Sequence, residues 1–260
     1  MKKYLDAAID AARIAGRIQM ESWGKKHEIS HKGAADLVTE IDLRCEKSVI
    51  ESISGQFPDH SFLAEEGGET NPGSDHLWII DPLDGTTNYA HDYPRFCVSI
   101  ALSIKGSVVA GAVYSAVNDE LFVAIRGEGS FLNGVPIHVS EVGEVENSLI
   151  CTGFSYDKQK RMGEEIEAFM KILPEAQAVR RDGCAAMDLC YVACGRYDGY
   201  WELSLNPWDV AAGILIIEEA GGKVTDLKGE KPDLWGQEFL GTNKFIHTEM
   251  IELFSRPAKQ

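Results

Sequence analysis

Two carboxylates three residues apart, Asp81 and Asp84, stand in the run Asp81-Pro82-Leu83-Asp84-Gly85-Thr86-Thr87. Carboxylates suit a hard cation, and a Gly followed by hydroxyl residues offers backbone N–H groups to an anion. Together they lay out a metal-assisted phosphate site. Asp, Pro and Gly are also ordinary turn residues, so each carboxylate alone reads first as a turn former. Other phosphate and cation motifs fit poorly. There is no Gly-x4-Gly-Lys-Ser/Thr loop, and an EF-hand needs carboxylates at alternate positions.

Further acidic residues lie elsewhere. Glu65-Glu66 precedes Gly67-Gly68; adjacent glutamates are commonly solvated, but if buried near Asp81 their repulsion would demand a cation. Asp209 falls in the first turn of the run Trp208-Asp209-Val210-Ala211-Ala212-Gly213, where it serves either as a helix cap or as a further carboxylate for the same site. Thr39-x-x-Asp42 has the form of a capping box, which accounts for both residues without any function.

The elements that must position these groups are legible in outline. The apolar run Leu77 to Ile80 reads as a buried strand that delivers Asp81 and Asp84 at its carboxyl end, and Pro82 should stop regular pairing there. Residues 3–23 form an amphipathic helix with Leu5, Ala8, Ile9, Ala12 and Ala15 on one face. The polar stretch 25–32 reads as a loop, and a second helix leads from Asp36 and Thr39 to 54, closed by Gly55. Residues 61–64 read as a strand, and 69–75 as a loop. Strands are expected near 97–105, 107–116 and 120–126, with turns at Gly127-Glu128-Gly129 and Asn133-Gly134. Gly127-x-Gly129 lacks the third Gly and the helix of a dinucleotide fingerprint.

Beyond a polar connector at 140–147, strands (149–153, 176–180, 199–203) alternate with helices (158–172, 185–194), which favours an α/β layer. The run from Trp208, introduced by Pro207 and closed by Gly221, is apolar nearly all round and must be deeply buried. A strand at 238–242, a short helix and a frayed tail complete the chain.

With 260 residues the chain suits one large domain or two intimate subdomains. Its 25 basic and 41 acidic residues give a net charge of −16, which disfavours non-specific binding to nucleic acid or to an anionic membrane. Cys45, Cys97, Cys151, Cys184, Cys190 and Cys194 contain no Cys-x-x-Cys pair and read as reduced thiols of a cytoplasmic protein. Asp6, Asp10, Arg13 and Arg17 interrupt any leader-like apolar core, and no stretch reaches membrane-spanning length.

The runs Trp78-Ile-Ile-Asp-Pro-Leu-Asp-Gly-Thr-Thr-Asn-Tyr89 and Trp208-Asp-Val-Ala-Ala-Gly213 resemble the two signatures of the inositol monophosphatase family. Leu37 to Asp42, Ala64-Glu65-Glu66, the hairpin Gly129 to Gly134 and Glu219-Ala-Gly-Gly222 match further segments of that family in order. The likeness covers nearly the whole chain, and Gly183 to Leu189 and Tyr200-Trp-Glu202 look closest to bacterial members.

The resemblance implies a five-layer αβαβα sandwich of the inositol monophosphatase/fructose-1,6-bisphosphatase type. It implies an N-terminal subdomain, 1–140, carrying most metal ligands, and a C-terminal one, 141–260, carrying Asp209 and the substrate contacts. It implies a Mg2+-dependent, lithium-sensitive phosphoric monoester hydrolase that uses two or three ions and works as a homodimer. Glu65, Asp81, Asp84, Asp209 and the carbonyl of Leu83 are similar to the metal ligands, with Glu66 in support of Glu65. Asp42 and Thr86, with Glu65, match the residues that position and deprotonate the attacking water. The N–H groups of Gly85 and Thr86 would seat the phosphate beside Asp84. Gly183, Cys184, Ala185 and Glu202, with Asp209, match the polyol contacts, although many relatives carry a small hydroxyl residue where this chain has Cys184.

The implied reaction is hydrolysis of inositol monophosphate or a similar small polyol phosphate. The same chemistry would serve fructose 1,6-bisphosphate, a 2′-phosphate nucleotide or NADP. A regulatory role as a protein-binding partner is the reading from another class, and the acidic surface permits it.

Overall fold

A computed structural model describes residues 1–25, 29–31, 37–155 and 161–257. The chain opens with α1 (Lys2–Ser22), the antiparallel pair β1 (Ile29–His31) and β2 (Leu37–Thr39), and α2 (Glu40–Ser54). There follow β3 (Ser61–Ala64), β4 (Gly68–Thr70), β5 (His76–Asp84), α3 (Thr86–Ala90), β6 (Cys97–Ile104), β7 (Ser107–Ser115), β8 (Glu120–Ile125), β9 (Gly129–Leu132) and β10 (Val135–Pro136). Next are β11 (Leu149–Thr152), α4 (Met162–Ile172), β12 (Ala178–Arg180), α5 (Ala185–Ala193) and β13 (Gly199–Leu203). The chain ends with α6 (Pro207–Glu219), β14 (Lys223–Thr225), β15 (Glu238–Thr242) and α7 (His247–Ser255).

Beside the small β1–β2 pair, two large sheets and three helical layers result. The first sheet has eight strands in the order β10-β9-β8-β7-β6-β5-β3-β4, antiparallel except where β3 runs beside β5. The second has five, β12-β11-β13-β15-β14. Helices α1 and α2 cover one face of the first sheet. Helices α5 and α6 fill the space between the sheets, and α4 and α7 cover the far face of the second. The layering is αβαβα.

Sequence periodicity explains this arrangement. Successive strand residues point to opposite faces. In β5, Trp78 and Ile80 join the core beneath α1 and α2, whereas Leu77 and Ile79 join the core around α5 and α6. A strand buried on both faces must be apolar without alternation, as this one is. Helix α6 is apolar nearly all round for the same reason, being enclosed by both sheets. Gly213 allows α5 to approach it, since a Cβ there would stand 2.6 Å from Leu189 Cδ1.

Three local expectations are corrected. Pairing does not end at Pro82, because β5 resumes its ladder with β6 at Asp84 after a register shift. Gly68–Thr70 forms an edge strand in place of a loop, and Ile29–His31 pairs with Leu37–Thr39. The expected helix start at 158–160, Asp36 and the tail at 258–260 lie outside the described residues. No described helix is long and apolar enough to cross a membrane.

Candidate active site

The site begins at an irregularity in β5. Asp81 pairs with Ser99 and Asp84 with Cys97, so two residues of β5 bulge out of the ladder between them. Pro82 has no N–H to contribute there. Its carbonyl accepts a 3.0 Å hydrogen bond from Gln19 Nε2 on α1, and the Leu83 N–H donates to Asp81 Oδ1 at 3.0 Å. Gly85 then turns the chain with φ +88°, and a Cβ there would stand 2.7 Å from the Arg95 carbonyl. Only glycine meets both demands. Helix α3 starts at once with Thr86.

The bulge faces a cleft of about 70 Å³ lined by Glu65, Asp81, Leu83, Asp84, Gly85, Thr86, Thr87 and Asp209. Glu65, Asp84 and Asp209 also line an adjoining pocket of about 320 Å³ with Gly183, Cys184, Ala185 and Glu202. Residues far apart in the chain are thus collected at one place, Glu65 from the end of β3, Asp209 from the start of α6 and Glu202 from β13.

The capping and site readings prove compatible, because each carboxylate divides its oxygens. Asp209 Oδ2 accepts the Asn206 N–H at 2.7 Å and so closes the N-terminus of α6. Asp42 Oδ2 accepts the Thr39 N–H at 2.9 Å and the Thr39 hydroxyl at 2.6 Å. Its other oxygen, Oδ1, lies 3.0 Å from Thr86 Oγ1. Asp42 is fully buried and sits behind Thr86, outside the residues that line the cleft. Only Thr86 of this pair reaches the cleft.

Burial first, and then the charges of Glu65, Asp84 and Asp209, push Asp81 well above the ordinary carboxylate range. Burial also raises Asp209, Asp84 and Asp42, opposed at Asp84 by the Ala186 N–H, which donates to its Oδ2 at 2.7 Å. Burial likewise lifts Glu202 to about 8. Buried acids that repel one another need either protons or a cation. The donors are all carboxylate and carbonyl oxygens, the set that fits a hard divalent ion.

Cys184, expected as a substrate contact, stands in the wall of the larger pocket with its sulfur turned aside. It is 1% exposed, and its Sγ turns toward Asp84, 3.3 Å from Oδ2. Gly183, Ala185 and Glu202 line the same pocket, and the Tyr200 hydroxyl donates to Glu202. Glu66 offers its N–H to Glu46 Oε2 at 2.8 Å, which anchors the turn after Glu65.

Several supporting residues escape the sequence reading. The Asn88 side-chain amide donates to the carbonyls of Arg95, Asp182 and Gly183 at 2.8, 2.8 and 3.1 Å, joining α3 to the loop before α5. Arg95 is buried against Asp188 at 2.5 Å and Asp182 at 3.4 Å, with its guanidinium over the Tyr191 ring. Arg181 lines the larger pocket, and among the described residues no carboxylate lies within salt-bridge distance of it. Asn88 stands inside a quoted motif, which is a usable signal; Gln19 and Arg95 carry none, because their partners are distant in sequence, and no local pattern marks Arg181. The Gly127 and Gly129 N–H groups donate to the Glu219 carboxylate at 2.9 and 3.0 Å, so that Gly-x-Gly turn holds the end of α6.

The pattern of the inositol monophosphatase family matches residues 1–257. The chain is 45% identical over 254 residues to the inositol-1-monophosphatase of Synechocystis, covering 97% of this chain and 88% of that protein. It is 43% identical to the Nus factor SuhB of Haemophilus influenzae, covering 96% and 95%. The solved inositol monophosphatase of Anabaena superposes with a TM-score of 0.90 at 42% identity, covering 99% of this chain and 97% of that one.

Proposed function

This chain belongs to the inositol monophosphatase family and is a phosphoric monoester hydrolase, and from that premise we propose that it hydrolyses inositol monophosphate, or a similar small polyol phosphate, with Mg2+. The observation that carries this reading is the gathering of Glu65, Asp81, Asp84 and Asp209 with the Leu83 backbone around one cleft. These residues and the Leu83 carbonyl would hold the ions. When bound, Mg2+ supplies Lewis acidity toward the phosphoryl oxygens and activates the attacking water.

The chain's own groups do the rest. The N–H groups of Gly85 and Thr86, at the start of α3, seat phosphate oxygens. The Thr86 hydroxyl directs its proton inward to Asp42 Oδ1 or the Leu83 carbonyl, at 3.0 and 2.9 Å. Its lone pairs are therefore turned to the cleft, where they accept a hydrogen bond from the incoming water. Asp42 takes up the proton through Thr86, and its raised pKa makes it a better acceptor than an ordinary carboxylate. Glu202 and the loop at Gly183 orient the alcohol in the larger pocket. Residues 1–140 carry most of the metal ligands and 141–260 carry Asp209 and the alcohol contacts, and two copies pair as a homodimer.

Phosphate release from inositol 1-phosphate, measured with Mg2+ and with chelator, tests the reading. The expected result is turnover that chelation abolishes and lithium lowers. Chelator-resistant release would overturn the metal role. Comparison of kcat/KM with fructose 1,6-bisphosphate, a 2′-phosphate nucleotide and NADP identifies the alcohol. A second reading, regulatory protein binding, is favoured by the 43% identity to a relative named as a Nus factor. Recovery of a stoichiometric partner by an Asp209→Asn chain would support it.

A further inference from the structure

Cys97 and Cys184 take no part in the proposed hydrolysis, yet both are packed against Asp84. The two sulfurs lie 3.7 Å apart. Asp84 Oδ2 lies 3.3 Å from Cys184 Sγ and 3.9 Å from Cys97 Sγ. All three ligand atoms lie within 4.8 Å of one another.

These three edges have a metal-like shape. A tetrahedral zinc ion, with sulfur at about 2.3 Å and oxygen at about 2.0–2.2 Å, sets S···S near ~3.8 Å and S···O near ~3.6 Å. The observed triangle matches the sulfur edge and straddles the oxygen edge. Sulfur donors discriminate against Mg2+ and favour thiophilic ions. We propose that Cys97, Cys184 and Asp84 form a second cation site, selective for a thiophilic divalent ion such as Zn2+.

The surroundings support the assignment. Cys184 and Asp84 belong to the wall of the larger pocket, which gives the ion a route of entry and a water as fourth ligand. Cys97 lies behind them, fully buried. The one other such group among the described residues, Cys151 with Asp182 and Asp188, already holds a cation, because Arg95 pairs with both carboxylates. The Asp84 group has no side-chain cation at this distance among the described residues.

Loading exchanges two thiol protons, which pass to solvent, for two metal–sulfur bonds, and neither sulfur changes oxidation state. Asp84 is also a proposed Mg2+ ligand, so the thiophilic ion would withdraw it from the phosphatase centre, a clause that rests on the proposed function.

The test is titration of the reduced, metal-free chain with Cd2+, followed by thiolate-to-cadmium ultraviolet absorption. One equivalent is expected to develop the band in the native chain and in Cys194→Ser, and to fail in Cys97→Ser and Cys184→Ser with circular dichroism unchanged. A band that persists in both of those variants, or no band in the native chain, overturns the proposal. X-ray absorption of the zinc-loaded native chain needs no variant: two sulfurs at about 2.3 Å are expected, and an all-oxygen shell refutes the site. Neither measurement uses substrate, so a chain without phosphatase activity would still report on this site.

Discussion

Thr86 Oγ1 sits 3.0 Å from Asp42 Oδ1, across 44 residues of sequence, and is the atom through which a fully buried carboxylate reaches the cleft. The relationship is directional. Asp42 Oδ2 is engaged by the N–H and hydroxyl of Thr39, so Oδ1 is the oxygen left for Thr86.

A relay of this kind predicts that Thr86→Val lowers kcat by about 10²- to 10³-fold, within the usual span of general-base catalysis. KM should change little, because seating of the phosphate depends on backbone N–H groups. Thr86→Ser should recover most of the rate. Equal rates for the Val and Ser variants would refute the relay.

Gln19 braces the metal loop from the opposite layer. Its Nε2 donates to the Pro82 carbonyl at 3.0 Å, and its backbone carbonyl accepts the Tyr89 hydroxyl at 2.7 Å. Gln19→Ala removes the first bond and leaves a buried carbonyl unsatisfied, at a cost of about 1–3 kcal/mol. Thermal unfolding should move down by about 2–4 °C per kcal/mol for a chain of this size. The apparent Mg2+ affinity should weaken too. A variant with native melting temperature and native Mg2+ dependence would show that the brace is idle.

The acidic cleft links metal, pH and stability. Asp81, Asp84, Asp209 and Glu202 all have folded-state pKa values raised by burial. A raised value means stability present below the ordinary carboxylate pKa and lost as pH rises through the folded value. For Glu202 that window runs from 4.5 to about 8. The metal-free chain should lose stability across it, and Mg2+ should restore most at the alkaline end. Melting temperatures at pH 6 and pH 8, with and without Mg2+, check this; an equal Mg2+ effect at both pH values would contradict it.

His247 contributes with the opposite sign. Its imidazole is buried between Thr225 Oγ1 at 2.9 Å and Thr242 Oγ1 at 2.8 Å, and burial lowers its pKa from 6.5 to about 4. Stability from a neutral buried histidine is present above 6.5 and drains away as pH falls toward 4. The full span is worth on the order of 3 kcal/mol. Urea midpoints at pH 7 and pH 5 should separate more in the native chain than in His247→Gln. Parallel slopes would remove His247 from the acid limb.

The acidic residues are legible in the sequence because they stand beside strong punctuation. Pro82 and Gly85 frame Asp81 and Asp84, and Pro207 introduces the helix that carries Asp209. Apolar runs likewise give the strands and helices of the two sheets. What pattern alone does not convey is pairing across distance. Gln19 looks like one more polar residue at a helix end, and its burial follows from a bulge 63 residues later. Pro82 signals the end of a ladder, whereas the strand absorbs it as an irregularity and pairs again at Asp84. Cys184 reads as a polyol contact by position, and only packing turns its sulfur toward Asp84. Arg95 has no local partner to announce it, since Asp188 lies 93 residues away.

Helix α6 is fastened at both extremities. Asp209 occupies its first turn, while Glu219, its last residue, grips the Gly127 and Gly129 amides on the first sheet. The rod spans ten residue steps between them, about 15 Å of rise. Being stiff and enclosed, it cannot slide or tilt at one tip without carrying the other. Slack introduced at Glu219, remote from any phosphate, should therefore arrive as misaligned chemistry at Asp209.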